Sequence, residues 1–156
     1  MPKITTFLTF DDQAEEAVNF YTSIFENSRI LSTNRYGDAG PGPKGSLMTA
    51  TFELEGEEFI ALNGGPSFSF SQGISLLVRC ETQAEVDELW EKLSEGGQQG
   101  PCGWLTDKFG VSWQVVPRVL GELLSDPDAE KAQRVMSAML QMSRIDIEGL
   151  ERAYAG

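Results

Sequence analysis

An α+β fold is predicted, built from two βαβββ modules followed by a C-terminal helical extension. Three observations predict it. A strand, a helix and three further strands follow one another twice in the same order along the chain. The helix of each repeat opens on a capping pattern, Asp12 with Glu15 and then Thr82 with Glu85, and each carries a single apolar stripe. Beyond Pro117 the alternation of strands gives way to helical spacing. The modules are expected over residues 1–66 and 72–117, forming one domain of 1–117, with the extension over 118–156.

In order, Ile4 to Phe10 reads as a strand with Ile4, Thr6, Leu8 and Phe10 on one face. The first helix follows, with Asp12 as N-cap and Ala14, Ala17, Val18, Tyr21, Ile24 and Phe25 as its stripe. Arg29 to Tyr36 is a second strand. The next nine residues, Gly37 to Gly45, hold four glycines and two prolines and form an irregular loop, either surface connection or lid. Ser46 to Leu54 and Glu58 to Asn63 make a hairpin about Glu55-Gly56, and Phe59, Ala61 and Asn63 share one of its faces. In the second module Ile74 to Cys80 places Ser75, Leu77 and Arg79 on one face. Thr82 caps a helix striped by Val86, Leu89, Trp90 and Leu93, which Gly96-Gly97 ends. Short segments about Gln98-Gln99 and Trp104 lead to the last strand. In the extension, Val119 to Leu124 is a short helix, Asp126 with Pro127 opens a longer one, and Asp146 caps a third. The methionines of the long helix are expected to pack against the sheet or a second subunit.

Composition narrows the classes of function. Apolar content of 40% and a net charge of −12 describe a globular, acidic chain. Nucleic acid and anionic membranes both require a basic patch, so neither is an expected partner. There is no apolar run of membrane-span length, and Met1-Pro2-Lys3 leads straight into a strand, so a cytoplasmic protein is expected. Cys80 and Cys102 stand in no redox spacing and read as two small buried thiols. Histidine is absent, which removes the usual base near neutral pH and the commonest metal ligand.

The stretch Thr106 to Val116 holds the residue that most needs explaining. A turn carrying Asp107 and Gly110 leads into a strand whose faces are Ser112, Gln114 and Val116 against Val111, Trp113 and Val115. A purely structural strand has no need of a long amide among these side chains. Gln114 must therefore be satisfied by neighbouring protein groups or by a ligand.

These residues also carry a resemblance. Phe10-Asp11-Asp12 through Ala17, Phe20-Tyr21 and Phe25 match in the first module, and Glu85, Leu89-Trp90, Leu93, Gly96-Gly97, Gly103-Trp104 and Asp107 to Gln114 in the second. With them the chain resembles the PhnB-like branch of the vicinal oxygen chelate (glyoxalase/bleomycin resistance/dioxygenase) superfamily. Members of that branch are often labelled 3-demethylubiquinone-9 3-methyltransferase. The tail from Val119 to Leu150 looks like the family's C-terminal extension. The resemblance implies curled mixed sheets around a cavity and a homodimer. Metal-using relatives place ligands at positions that fall on Thr6, Gly73, Ala61 or Asn63, and Gln114 here. Such a set holds no divalent ion tightly, so no metal or other cofactor is expected. The methyltransferase label reads as inherited naming, because no glycine-rich strand-to-helix turn is present.

The expected function is to bind a small apolar or mixed-polarity molecule. The pocket would be lined by Leu8, Phe10, Phe59, Ser75 and Leu77, with Thr6, Asn63 and Gln114 as its polar groups. The alternative is a metal-independent enzyme of the same superfamily, drawing its acid or base from Asp107, Glu53, Arg79 or Tyr36.

Overall fold

The computed structural model of the protein describes residues 2–156. They form two units, the first ending at Ser69 and the second spanning Phe70–Gly156. The first unit contains β1 (Thr6–Phe10), α1 (Ala14–Ile24), β2 (Ser28–Arg35), β3 (Leu47–Leu54) and β4 (Glu57–Asn63). Its four-stranded sheet has the order β1-β4-β3-β2, with β1 and β4 parallel and the other pairs antiparallel. The hairpin between β3 and β4 turns through Glu55 and Gly56, both at positive φ, as a tight hairpin of matching twist requires.

Register decides which side chains share a face. Leu8 pairs with Ala61, Phe10 with Asn63, Ala50 with Ala61 and Phe52 with Phe59. Tyr21 of α1 stacks on Phe52 at 6.4 Å between centroids, and Phe52 on Phe59 at 5.4 Å. This face is therefore the core of the unit. Fully burying the aromatic pair contributes roughly 1.5–3 kcal/mol per side chain. Phe7, Thr9, Ile60 and Leu62 take the opposite face.

The start of α1 differs from expectation. Its N-cap is Gln13, which makes no side-chain cap bond, and Asp12 lies outside the helix. The first helical N–H, on Ala14, instead donates to Asn63 Oδ1 at 2.8 Å. An amide at the end of β4, 49 residues on in sequence, supplies the acceptor that the local aspartate was expected to supply. The glycine- and proline-rich loop folds back on Tyr36, which is buried. Gly45 N donates to Tyr36 O, and the Tyr36 hydroxyl donates to Asn63 O at 2.6 Å.

The second unit repeats the order with β5 (Ser75–Cys80), α2 (Gln83–Ser94), β6 (Gln98–Gln99), β7 (Trp104–Thr106) and β8 (Ser112–Pro117). The sheet runs β5-β8-β7-β6, with β5 and β8 parallel. Thr82 caps α2 as expected, its Oγ1 accepting from Glu85 N at 3.2 Å. Gly96 adopts a positive φ after the helix, and Gly97 follows where a Cβ would lie 2.1 Å from Thr106 O, so no larger residue fits. The apolar stripe of α2 packs on β7 and β8, and buried Leu105, Trp113 and Val115 mark the covered face. Cys80 is buried too, and burial pushes its thiol up to about 12, which leaves it protonated and inert at neutral pH.

The extension belongs to the second unit and consists of α3 (Arg118–Leu124), α4 (Ala129–Met139) and α5 (Ile147–Ala155). Leu120, Val135, Ile145 and Leu150 form its core, against which Val116 of β8, Met139 and Met142 pack. Two of its caps fall elsewhere than on the expected aspartates. Asp128, not Asp126, caps α4, accepting from Glu130 N and Lys131 N. Asp126 holds the turn before it and accepts the Tyr154 hydroxyl at 2.7 Å. Asp146 makes no side-chain cap bond; Ile147 N donates to Gln83 Oε1 at 2.8 Å, and Gln83 Nε2 donates to Ile145 O at 2.9 Å. Gln83 thereby fastens the extension to α2. Cys102 N and Gly103 N donate to Met142 O and Ser143 O and fasten it to the loop before β7.

Candidate functional site

Asp107 sets the geometry of the second sheet. Its carboxylate is almost wholly buried, at 2% exposure. Oδ1 accepts from Phe109 N at 2.9 Å and Val111 N at 3.0 Å, and Oδ2 accepts from Trp113 Nε1 at 2.9 Å. Gly110, at φ +95°, takes the left-handed position that closes the turn, and its N–H donates to Asp107 O. The turn fixes the register in which β8 enters the sheet, with Trp113 down on α2 and Gln114 on the opposite face. Asp107 is thus committed to structure, as are two other candidates for acid or base work. Glu53 pairs with Arg29, and the Tyr36 hydroxyl is held by Asn63 O.

On the face away from α2, Gln114 lies between Leu77 of β5 and Trp104 of β7, in register with both. Arg79 and Val116 form the next row. Together with Cys102, these residues form one wall of a cavity of about 750 Å³. Leu120, Leu124 and Met139 of the extension form the other. That is the size of a small-molecule site, and the lining is mostly apolar with a few polar groups. Gln114 Nε2 donates to Ser75 Oγ at 3.0 Å, while its Oε1 accepts no hydrogen bond among the described residues. On the same face, Ser112 Oγ is buried without a partner among the described residues.

The residues expected to line a pocket separate into two groups. Ser75, Leu77 and Gln114 share a face in the second unit. Leu8, Phe10 and Phe59 lie instead on the α1-covered face of the first sheet, where all three are buried in its core. Thr6 begins β1 on that same face and is exposed. Asn63 holds α1, with both ends of its amide engaged, since Nδ2 donates to Leu47 O at 3.1 Å. The physical reason is that alternation defines two faces of a strand without saying which one receives the helix. Trp104 was not among the residues expected at a pocket. It is half-buried against the cavity. Its position opposite Gln114 follows from antiparallel register, which needs the strand pairing.

Two mixed four-stranded sheets, each in βαβββ order, define the class of fold, a paired-module α+β protein. The chain belongs to the 3-demethylubiquinone-9 3-methyltransferase family, the PhnB-like branch, whose profile matches residues 2–116. It is similar to a PhnB protein from Bacillus cereus, which bears that same family description. The two share 44% identity over 74% of this chain and 99% of the other, with a TM-score of 0.68. A protein from Pseudomonas aeruginosa matches at 24% identity over 75% and 98% of the two chains, with a TM-score of 0.62. A fosfomycin resistance protein from Listeria monocytogenes, complexed with Mn(II) and sulfate, shares the fold at 18% identity and a TM-score of 0.54, over 74% and 92%. Among curated proteins none matches. The tail expected to resemble the family's extension lies beyond the family match, which stops at residue 116. One wall of the cavity therefore comes from helices outside the matched region.

The residues present do not fit a divalent ion. Gly73 and Ala61 offer no ligating side chain, Asn63 is engaged at both ends of its amide, and Gln114 offers a single neutral oxygen. Among the described residues no three His, Cys, Asp or Glu side chains gather. A hard cation draws its affinity from several such ligands at once.

Proposed function

We propose that the protein binds a small, mostly apolar molecule in the cavity of its second unit, without a metal. The observation that carries this reading is the acceptor of Gln114, which has no hydrogen bond among the described residues and is set between Leu77 and Trp104 on a face that the extension flanks. Three of the four acid or base candidates are engaged structurally, which favours binding over catalysis. We read the family's methyltransferase description as a label, since each sheet is a mixed βαβββ unit rather than the doubly wound kind that carries nucleotide-like cofactors.

Gln114→Leu tests the reading. It removes the amide and its bond to Ser75 and keeps the volume, so stability should change by no more than about 1 kcal/mol. Native mass spectrometry of protein taken from cells should then show a small molecule retained on the wild type and lost or reduced on the variant. Equal occupancy of the two would overturn the assignment.

The reading includes a homodimer, for which exposed Phe7, Ile30 and Leu31 of the first unit offer apolar surface. Sedimentation velocity at micromolar concentration should return twice the chain mass of 17.2 kDa. A monomer would exclude it.

A further inference from the structure

The chain is strongly acidic, and nearly all its cations are matched. Of the twelve lysines and arginines, eight form ion pairs. Lys108 and Lys131 lie over aromatic rings. Among the described residues this leaves Lys3, near the chain start, and Arg79. Arg79 is the one that lines the cavity, two residues from Leu77 on the Gln114 face, and among the described residues its guanidinium has neither ion pair nor hydrogen bond. Its neighbour Arg118 also lines the cavity but is neutralised by Glu81 at 2.6 Å.

We propose that Arg79 makes the cavity selective for an amphipathic anion, a carboxylate on an apolar body. The proposal rests on the binding reading above and narrows its ligand class. An unmatched guanidinium presents a planar fork of donors suited to a carboxylate, and such charge-assisted bonds are about twice as strong as neutral ones. Strand geometry places Arg79 roughly 7 Å along β5 from Leu77 and neighbouring strands about 4.8 Å apart. A ligand head on Arg79 therefore leaves its body over Leu77, Gln114 and Trp104, against Leu120, Leu124 and Met139 of the extension. Gln114 Oε1 is then placed to accept from a hydroxyl or amide on that body. Glu122, also in the lining, adds a negative charge that disfavours dianions.

The probes are decanoate and decanol, which share a chain and differ in charge. Trp90 and Trp113 are buried and Trp104 is half-buried in the cavity, so a change in tryptophan fluorescence reports occupancy. Decanoate should bind the wild type about tenfold more tightly than decanol. Arg79→Gln should lower decanoate affinity about tenfold and so abolish that preference, and the exposed position of Arg79 spares the fold. Equal binding of both probes to the wild type, or a preference that survives Arg79→Gln, overturns the anion assignment while the cavity reading stands. Binding of neither probe overturns both readings.

Discussion

Asp107→Ala is expected to lower the stability of the second unit by about 3 kcal/mol, measured as a shift in the urea unfolding midpoint. The side chain accepts from two backbone N–H groups and from Trp113 Nε1, and is almost fully buried. Its removal leaves three donors without acceptors and a gap beneath the turn. Each buried orphan costs about 1–3 kcal/mol, and the losses overlap because the three share one turn. Asp107→Asn separates charge from shape. Its Oδ1 still serves the backbone pair, but the amide nitrogen meets the indole N–H donor to donor, so a loss of roughly half that size is expected. A change below about 0.5 kcal/mol in the alanine variant would show that the turn holds without its carboxylate and would remove Asp107 from its structural role.

Asn63→Ala should cost the first unit about 2 kcal/mol. The amide gives the first N–H of α1 its acceptor and gives Leu47 O its donor, so one truncation uncaps a helix and orphans a carbonyl. Cap losses run at about 1 kcal/mol and an unpaired buried carbonyl at about as much again. Asn63→Asp keeps the acceptor, and its charge is favourable at a helix N-terminus. It sets a carboxylate oxygen against Leu47 O, however, so it should recover part of the loss and not all. Equal stability of Asn63→Asp and Asn63→Ala would count against the cap. An effect on ligand binding with none on stability would assign Asn63 to the binding site and not to the helix start.

The candidate site was half legible in the sequence. Gln114 stands out because a long amide on an otherwise apolar strand demands a partner, and the strand's own alternation puts Ser112 and Val116 beside it. Ser75 and Leu77 follow from the equivalent strand by the same period. Leu8, Phe10 and Phe59 lie on the α1-covered face, which the sequence could not tell from the other, because period two sorts side chains into faces and stays silent about which face the helix covers. Tyr21 answers that question by stacking on Phe52. Trp104, Leu120, Leu124 and Met139 could not be gathered from sequence, since they come from a short strand and from helices that fold back over the sheet.

What the sequence determined by itself is the order and type of the elements. The second helix shows this, where Thr82, the apolar stripe and Gly96-Gly97 mark start, face and end, and all three operate as local chemistry requires. Such signals act over a few residues, and a chain segment carries them wherever it is placed. Tertiary structure decided the starts of α1 and α5. Asp12 lies one residue before the cap position of α1 and Asp146 occupies that of α5, yet neither side chain is the acceptor for its helix; Asn63 and Gln83 bring amides from 49 and 64 residues away. A helix N–H needs an acceptor and has no preference for a near one. An amide both accepts and donates, so a single side chain satisfies the helix start and a facing carbonyl together. A carboxylate cannot do this, and no local pattern reveals which distant strand or helix will arrive to supply the amide.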